Sequence, residues 1–259
     1  MSIWLLFALV IVVSVLIAIG MILLADQVIP AGIGREHNST LSPFLTTVAL
    51  VYGALLGFTV VVAWEQFSSA EANVANEAST LTTMYRQTVA MPAQQQREIR
   101  VLLREYTSAV QGPEWRQQEQ NEGGGTSDVA RGAITEMYRV LGRQDPDAAS
   151  SAINGEFLGQ LTLLASERNT RILDAEPRIP WLLWFGLIFG GVLLVGLTGF
   201  LRLDSTRAHI ILSGAVSLLL GLLLFVIYCL DHPFGSQTGI TPAPFGHSIE
   251  VFEAVDKGT

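Results

Sequence analysis

Long apolar segments alternate with polar stretches along this chain of 259 residues. Four of the apolar segments decide which structural class the protein belongs to. They cover residues 3–25, 44–64, 181–201 and 208–230, and none contains Asp, Glu, Lys or Arg. A helix rises about 1.5 Å per residue, so each segment is long enough to cross a hydrocarbon layer of about 30 Å. Backbone groups in lipid need partners within their own segment, so the pattern predicts four transmembrane helices in an all-α protein.

The polar residues are concentrated in one block between the second and third apolar segments. We therefore expect a transmembrane hairpin at 1–64, a soluble helical bundle at 65–180, a second transmembrane hairpin at 181–230 and a C-terminal tail at 231–259. Four spans place both termini and the block on one side of the membrane. The short connections 26–43 and 202–207 lie on the other side, and the glycines and prolines of 26–43 predict a loop there.

Helical periodicity continues through the polar block. Residues 65–91 contain neither Gly nor Pro, and Phe67, Val74 and Leu81 recur every seventh residue, which predicts that the second span continues as a long helix. Further helices are predicted near 92–111, 128–143 and 147–175, the last one antiparallel to the helices of 65–111. Three consecutive glycines at 123–125 predict a flexible connection over 117–128.

Charge and composition exclude several function classes. The net charge of −8 disfavours nucleic acid as a partner, because that requires a concentrated basic patch. Basic residues near the span ends are equally numerous on both sides, so they give no orientation. We find no catalytic motif, no cofactor motif and no metal-ligand spacing; Asp231, His232 and His247 are interpreted as surface residues. The sequence therefore predicts a membrane protein that is not an enzyme.

The absence of charged residues within the spans also bears on transport. Ion-coupled transporters usually place carboxylates or broken helices at the membrane midplane, whereas channels do not require them. The second span is the candidate wall of an ion path, and its candidate pore-lining residues are Thr47, Val51, Phe58 and Thr59. The alternative is that the threonine hydroxyls only bond to their own helix.

Three carboxylates follow the second span at intervals of six residues. Glu65, Glu71 and Glu77 would form acidic rings at the mouth of a path if subunits assembled around the second span, and such rings favour cations. The alternative is a solvated helix face.

Small residues also recur at helical spacing within the spans. Two glycine pairs and one three-membered stripe allow close helix packing, either within one subunit, between subunits or along a path. They are Gly53 with Gly57, Gly186 with Gly190, and Ser213 with Ser217 and Gly221.

Short motifs spread in order over nearly the whole chain resemble one known family. They are Arg35-Glu36-His37-Asn38, Gly53-Ala54-Leu55-Leu56-Gly57-Phe58, Trp64-Glu65-Gln66-Phe67, Glu77-Ala78, Leu81 with Tyr85-Arg86, Met91-Pro92, Glu114-Trp115, Asp231-His232-Pro233-Phe234-Gly235 and Pro244-Phe245. With these motifs the chain resembles the bestrophin-like membrane proteins of bacteria and plants, a family of unknown function. More distantly it is similar to the bestrophins, which are pentameric ion channels.

The resemblance implies a multi-pass inner-membrane protein, with both termini and the central block in the cytoplasm, that forms a homo-oligomer. The turn Asp231, Pro233, Phe234 and Gly235 looks like the bestrophin turn that begins a calcium-binding segment. Here residues 236–239 contain no carboxylate, whereas calcium prefers several, so calcium gating is not expected.

Two functions from different classes follow as expectations. The first is an oligomeric ion channel, in contact with lipid and inorganic ions, with an acidic cytoplasmic vestibule and a preference for cations. The second is a non-conducting membrane scaffold or sensor whose cytoplasmic bundle recruits a protein partner.

Overall fold

The computed structural model describes residues 3–28, 35–119, 127–143, 148–201, 205–235 and 239–258. These residues form α-helices joined by short turns, and no strand occurs among them, which confirms the all-α class. The helices are α1 Ile3–Val28, α2 Arg35–Gln87, α3 Ala93–Ala109, α4 Trp115–Glu119, α5 Asp128–Gly142, α6 Ala148–Asp174, α7 Trp181–Gly199, α8 Thr206–Asp231 and α9 Ala243–Lys257. A 3₁₀ turn, Thr88–Ala90, follows α2, and a π-helical turn, Val110–Glu114, joins α3 to α4.

Four helices have the length and composition needed to cross a membrane. They are α1, α2, α7 and α8, in agreement with the four apolar segments of the sequence. The predicted loop 26–43 is wrong for residues 26–28, which belong to α1, and for residues 35–43, because α2 already begins at Arg35 and includes Pro43. Residues 29–34 lie outside the described residues. The hydroxyls of Thr46 and Thr47 donate to the carbonyl oxygens of Ser42 and Pro43, both at 2.9 Å, so polar groups around the proline find partners within the helix.

The flexible connection predicted at 117–128 falls partly on residues 120–126, which lie outside the described residues. Residues 117–119 belong to α4 instead, and Asp128 opens α5. The N-cap of α5 is Ser127, whose hydroxyl accepts a hydrogen bond from the backbone N–H of Ala130. Such a cap satisfies one of the N–H groups that a helix start leaves free.

The described helices form two compact units, Met1–Gln66 with Arg178–Asp231 and Phe67–Pro177 with His232–Thr259, here called unit 1 and unit 2. In unit 1, α1 packs closely on α8, where the Ser217 hydroxyl donates to the Ser14 carbonyl oxygen at 2.6 Å. The α7 helix packs on α2, where the Tyr52 hydroxyl donates to the Leu187 carbonyl oxygen at 2.9 Å.

Unit 2 consists of the second part of α2 with α3 to α6 and α9. Three pairs between α2 and α6 run in opposite directions along the two helices: Asn73 with Asp174, Glu77 with Arg171, and Thr80 with Glu167. The antiparallel packing of these helices is therefore confirmed. The α9 helix, in a region where the sequence predicted only a tail, adds its buried face of Phe245, Ser248 and Phe252 to this unit.

Candidate functional site

The second span presents a largely apolar face that the other described helices of unit 1 leave uncovered. Thr47, Val51 and Phe58 are exposed, and the Phe58 side chain is 74% exposed. A helix turns about 100° per residue, so positions 47, 51 and 58 lie within about 40° of one another. The first three pore-lining candidates therefore share one face of α2.

Thr59 lies on a different part of the helix. Its side chain is buried, and its hydroxyl donates to the Leu55 carbonyl oxygen at 2.8 Å. The hydroxyl of Thr47 likewise donates to Pro43 within the same helix. Both threonine hydroxyls thus have partners in α2 itself, which was the alternative to a pore-lining role.

The three candidate vestibule carboxylates do not lie on one face of α2. A step of six residues corresponds to about 600°, so Glu65, Glu71 and Glu77 are spread around the helix about 120° apart. Glu65 and Glu71 are exposed, and Glu65 continues the face of Thr47 and Phe58. Glu77 is fully buried inside unit 2.

Glu77 belongs to a buried charge cluster, which we define as Glu77, Glu114, Arg168 and Arg171. The Arg171 guanidinium donates to Glu77 Oε2 and to Glu114 Oε1, each at 2.6 Å, and it also donates to Gln118 Oε1 at 2.7 Å. Arg168 donates to Glu114 Oε2 at 2.7 Å. The two carboxylates and two guanidiniums balance in charge, as buried ions require.

Neighbouring groups complete the hydrogen bonding of these carboxylates. The Tyr106 hydroxyl donates to Glu77 Oε1 at 2.6 Å, and the backbone N–H of Ser127 donates to Glu114 Oε2 at 2.9 Å. Burial, together with the charge of Glu77, raises the pKa of Tyr106 well above its ordinary value. Burial alone would lower the pKa of Arg171, but the adjacent Glu77 carboxylate outweighs it and raises that pKa. Arg171 therefore keeps its positive charge inside the cluster.

Sequence reasoning missed this cluster, although a signal was present. In the sequence, Arg168 and Arg171 are two of the basic residues near the start of the third span. They continue the buried face of α6 formed by Phe157, Leu161 and Leu164, at positions three or four residues apart. Arginines on an apolar helix face indicate buried partners, but the identity of those partners depends on tertiary contacts.

The turn motif after the fourth span has a structural explanation. The interpretation of Asp231 as a surface residue is wrong, because its side chain is buried. Its carboxylate accepts hydrogen bonds from the backbone N–H groups of Arg178 and Ile179, both at 3.0 Å, and from Trp184 Nε1 at 3.3 Å. It therefore links the end of α8 to the start of α7, where a negative charge also suits the helix N-terminus.

The remainder of that turn packs into unit 2. The Pro233 carbonyl oxygen accepts from the Ile240 N–H at 2.9 Å, and the Gly235 N–H donates to the His232 carbonyl oxygen at 3.2 Å. The Phe234 ring contacts the Trp115 ring edge-on, with centroids 5.3 Å apart. Within the described part of the chain, no three His, Cys, Asp or Glu side chains are grouped as a metal site.

Comparison with known proteins agrees with this architecture. The sequence model of the family described as the Bestrophin-like domain matches residues 11–245. Among solved structures, three point variants of a bacterial bestrophin homologue from Klebsiella pneumoniae share the fold. Their TM-scores are 0.77, 0.71 and 0.70 at 16%, 17% and 16% identity. The first match covers 100% of this chain and 99% of the homologue. Each of the second and third matches covers 98% of this chain and 99% of the homologue. No curated protein sequence matches the chain significantly.

Proposed function

Because this chain belongs to the bestrophin-like family, we propose that it is the subunit of a homo-oligomeric ion channel in the inner membrane, with unit 2 and both termini in the cytoplasm. Bestrophin homologues are ion channels, and the fold is shared with a bacterial bestrophin homologue over the whole chain. The proposed ion path follows the second spans of the assembled subunits.

One observation supports this path more than any other. The face of α2 that holds Thr47, Val51 and Phe58 has no partner among the described helices of its own unit. One side of the span is occupied, since Tyr52 and Leu56 are buried against α7, and the uncovered part of the helix also includes Leu50 and Val61. An uncovered, uncharged face suits the wall of a narrow path that selects and gates through hydrophobic constriction.

The proposed vestibule rests on Glu65 and Glu71. Both carboxylates are exposed and follow the span closely, Glu65 on the face of Thr47 and Phe58 and Glu71 about 120° around the helix. In a ring of subunits each of them repeats around the mouth and attracts cations. Glu77 has no part in this proposal, because it is buried and its charge is neutralised by Arg171.

Recording from purified protein in planar bilayers tests the channel. With asymmetric potassium chloride across the membrane, we expect discrete currents whose reversal potential indicates cation preference. Silence at both voltage polarities, from protein shown to be folded and inserted, contradicts conduction and favours the scaffold or sensor.

A double variant tests the vestibule separately. Changing Glu65→Gln with Glu71→Gln removes two exposed charges per subunit, so we expect the reversal potential to move toward zero. Glu250→Gln is the matched control, since it removes an exposed carboxylate on α9 and should leave selectivity unchanged. Unchanged cation preference in the double variant rules out the proposed acidic mouth while leaving the channel intact.

A further inference from the structure

Unit 2 contains two arginines that converge on a single carboxylate near the end of α9. The guanidiniums of Arg100 and Arg104, which lie on successive turns of α3, donate to Oδ1 and Oδ2 of Asp256, each at 2.6 Å. The Tyr85 hydroxyl of α2 donates to Asp256 Oδ2 at 2.8 Å. Paired guanidiniums and a hydroxyl donor are groups with which proteins bind oxyanions. The arrangement is therefore an anion site that a side chain of the same chain occupies.

Both arginines are positioned by contacts that do not involve Asp256. Arg100 Nε donates to the Thr88 hydroxyl oxygen at 2.8 Å, and Arg104 Nε donates to the Tyr85 hydroxyl oxygen at 3.2 Å. The two guanidinium carbons also lie over the Tyr85 ring, 5.0 and 5.3 Å from its centroid. Because α2, its 3₁₀ turn and α3 supply these contacts, the site remains formed when Asp256 leaves it.

Asp256 does not balance the charge of the site. Within the described part of the chain, it is the one carboxylate that forms an ion pair with Arg100 or Arg104. Two guanidiniums thus face one negative charge, whereas a phosphate monoester has close to two at pH 8. The phosphodiester group of common phospholipids has one charge and offers no gain over the carboxylate.

Asp256 lies where solvent ions reach it and where α9 can release it. Its side chain is 38% exposed, and those of Arg100 and Arg104 are 20% and 36% exposed. It belongs to the last turn of α9, whereas Phe245 and Phe252, which bury this helix, precede it. The last turn of a helix opens more readily than its interior. Departure of Asp256 therefore leaves the apolar contacts of α9 in place.

We propose that Arg100, Arg104 and Tyr85 bind the dianionic phosphate group of free phosphate or of a phosphate monoester, and that this ligand displaces Asp256 and loosens the end of α9. The inference concerns unit 2 alone and does not depend on ion conduction.

Hydrogen exchange of the purified full-length protein tests the displacement. Inorganic phosphate or glycerol phosphate at pH 8 should speed exchange in residues 243–257, because the last turn loses its anchor. Potassium chloride at the same ionic strength is the control, since screening alone also weakens exposed ion pairs. Equal exchange in the phosphates and in chloride overturns the proposal. An effect of both phosphates assigns the site to the phosphate group itself, and an effect of one alone assigns it to the free ion or to the monoester.

Two variants test binding by titration calorimetry. Arg104→Gln removes one of the two charged donors, so we expect about tenfold weaker phosphate binding. Arg131→Gln, at an exposed arginine of α5, is the matched control and should bind as the unmodified protein does.

Asp256→Asn removes the competing carboxylate but no donor of the site. We expect it to bind phosphate about fivefold more tightly than the unmodified protein. Exchange in residues 243–257 of this variant should no longer respond to phosphate. Unchanged or weaker binding by Asp256→Asn overturns the proposal, and this test holds even if Arg104→Gln fails to fold.

Discussion

Arg171 is the residue on which the buried charge cluster of unit 2 depends. Its guanidinium contacts both Glu77 and Glu114, and all three side chains are fully buried. The Phe245 ring of α9 lies beside it, 5.8 Å from the guanidinium carbon. Removing one partner of a buried ion pair leaves a charge without compensation, which costs far more than the intact pair contributes.

We therefore expect Arg171→Met to destabilise the protein by about 3–5 kcal/mol. The lost guanidinium leaves Glu77 and Glu114 without their shared partner in a dry interior. The melting temperature of the purified protein in detergent measures this effect. Arg139→Met is the control, because the Arg139 pair with Glu136 is solvent-exposed and contributes little to stability. If both variants lower the melting temperature by the same amount, the structural role of the cluster is contradicted.

Close helix packing in unit 1 depends on small residues, and the structure distinguishes the stripes found in the sequence. Ser213, Ser217 and Gly221 are buried, and a Cβ atom at Gly221 would collide with the Ser14 hydroxyl. A Cβ at Gly190 would lie 2.6 Å from the Tyr52 ring. These positions serve packing within one subunit, whereas Gly53 and Gly57 have no neighbour within 4 Å at the Cβ position.

Gly221→Leu should accordingly force α1 and α8 apart. Overpacking of a filled helix contact costs about 1–3 kcal/mol, which is measurable as a lower melting temperature in detergent. Gly214→Leu, on the same helix, is the matched control, because its Cβ position is open. If both substitutions lower the melting temperature equally, the effect comes from the added side chain rather than from the α1–α8 contact.

The α9 helix is held on unit 2 by one carboxylate with several donors. Asp256 accepts from Arg100 and Arg104, each at 2.6 Å, and from the Tyr85 hydroxyl at 2.8 Å. The Phe252 ring stacks on Tyr85 at a centroid distance of 4.1 Å. Although burial raises the pKa of Asp256, the hydrogen bonds from Tyr85 and Arg104 outweigh it and lower that pKa.

Because the pKa of Asp256 is lower in the folded state, its carboxylate stabilises α9 packing fully at pH values above 3.8, the ordinary pKa of an aspartate. This contribution is lost as pH falls through the lower, folded-state value. We expect hydrogen exchange in residues 243–257 to be faster in Asp256→Asn than in the unmodified protein at pH 7, with the difference vanishing under strong acid. Equal exchange at pH 7 shows that the apolar face alone holds α9.

The sequence predicted the membrane-embedded part of the fold better than the sites. Four uncharged segments specify four helices because a helix satisfies its backbone hydrogen bonds within one lipid-embedded segment. Heptad spacing at Phe67, Val74 and Leu81 correctly indicated the length of α2. The ion pairs between side chains were not predictable in the same way, since Glu77 and Arg171 are 94 residues apart in the chain. The six-residue spacing of Glu65, Glu71 and Glu77 was misleading, because it differs from the period of a helix.

The topology of the whole molecule follows from the number of crossings. Unit 2 contains both residues 67–177 and 232–259, and the proposed topology therefore assigns both segments to one side of the membrane. It assigns the two crossings between these segments to α7 and α8. The proposed orientation places the start of α8 on the opposite, periplasmic side.

Single-cysteine labelling in a Cys229→Ala background tests this orientation. Ser68→Cys and Glu250→Cys report on the two segments of unit 2, and Arg207→Cys reports on the connection; all three positions are exposed. With intact spheroplasts and a membrane-impermeant maleimide, we expect labelling only at position 207. Positions 68 and 250 should react after permeabilisation. The reverse pattern inverts the orientation but keeps four spans, whereas labelling of 68 and 250 from different sides contradicts the four-span topology itself.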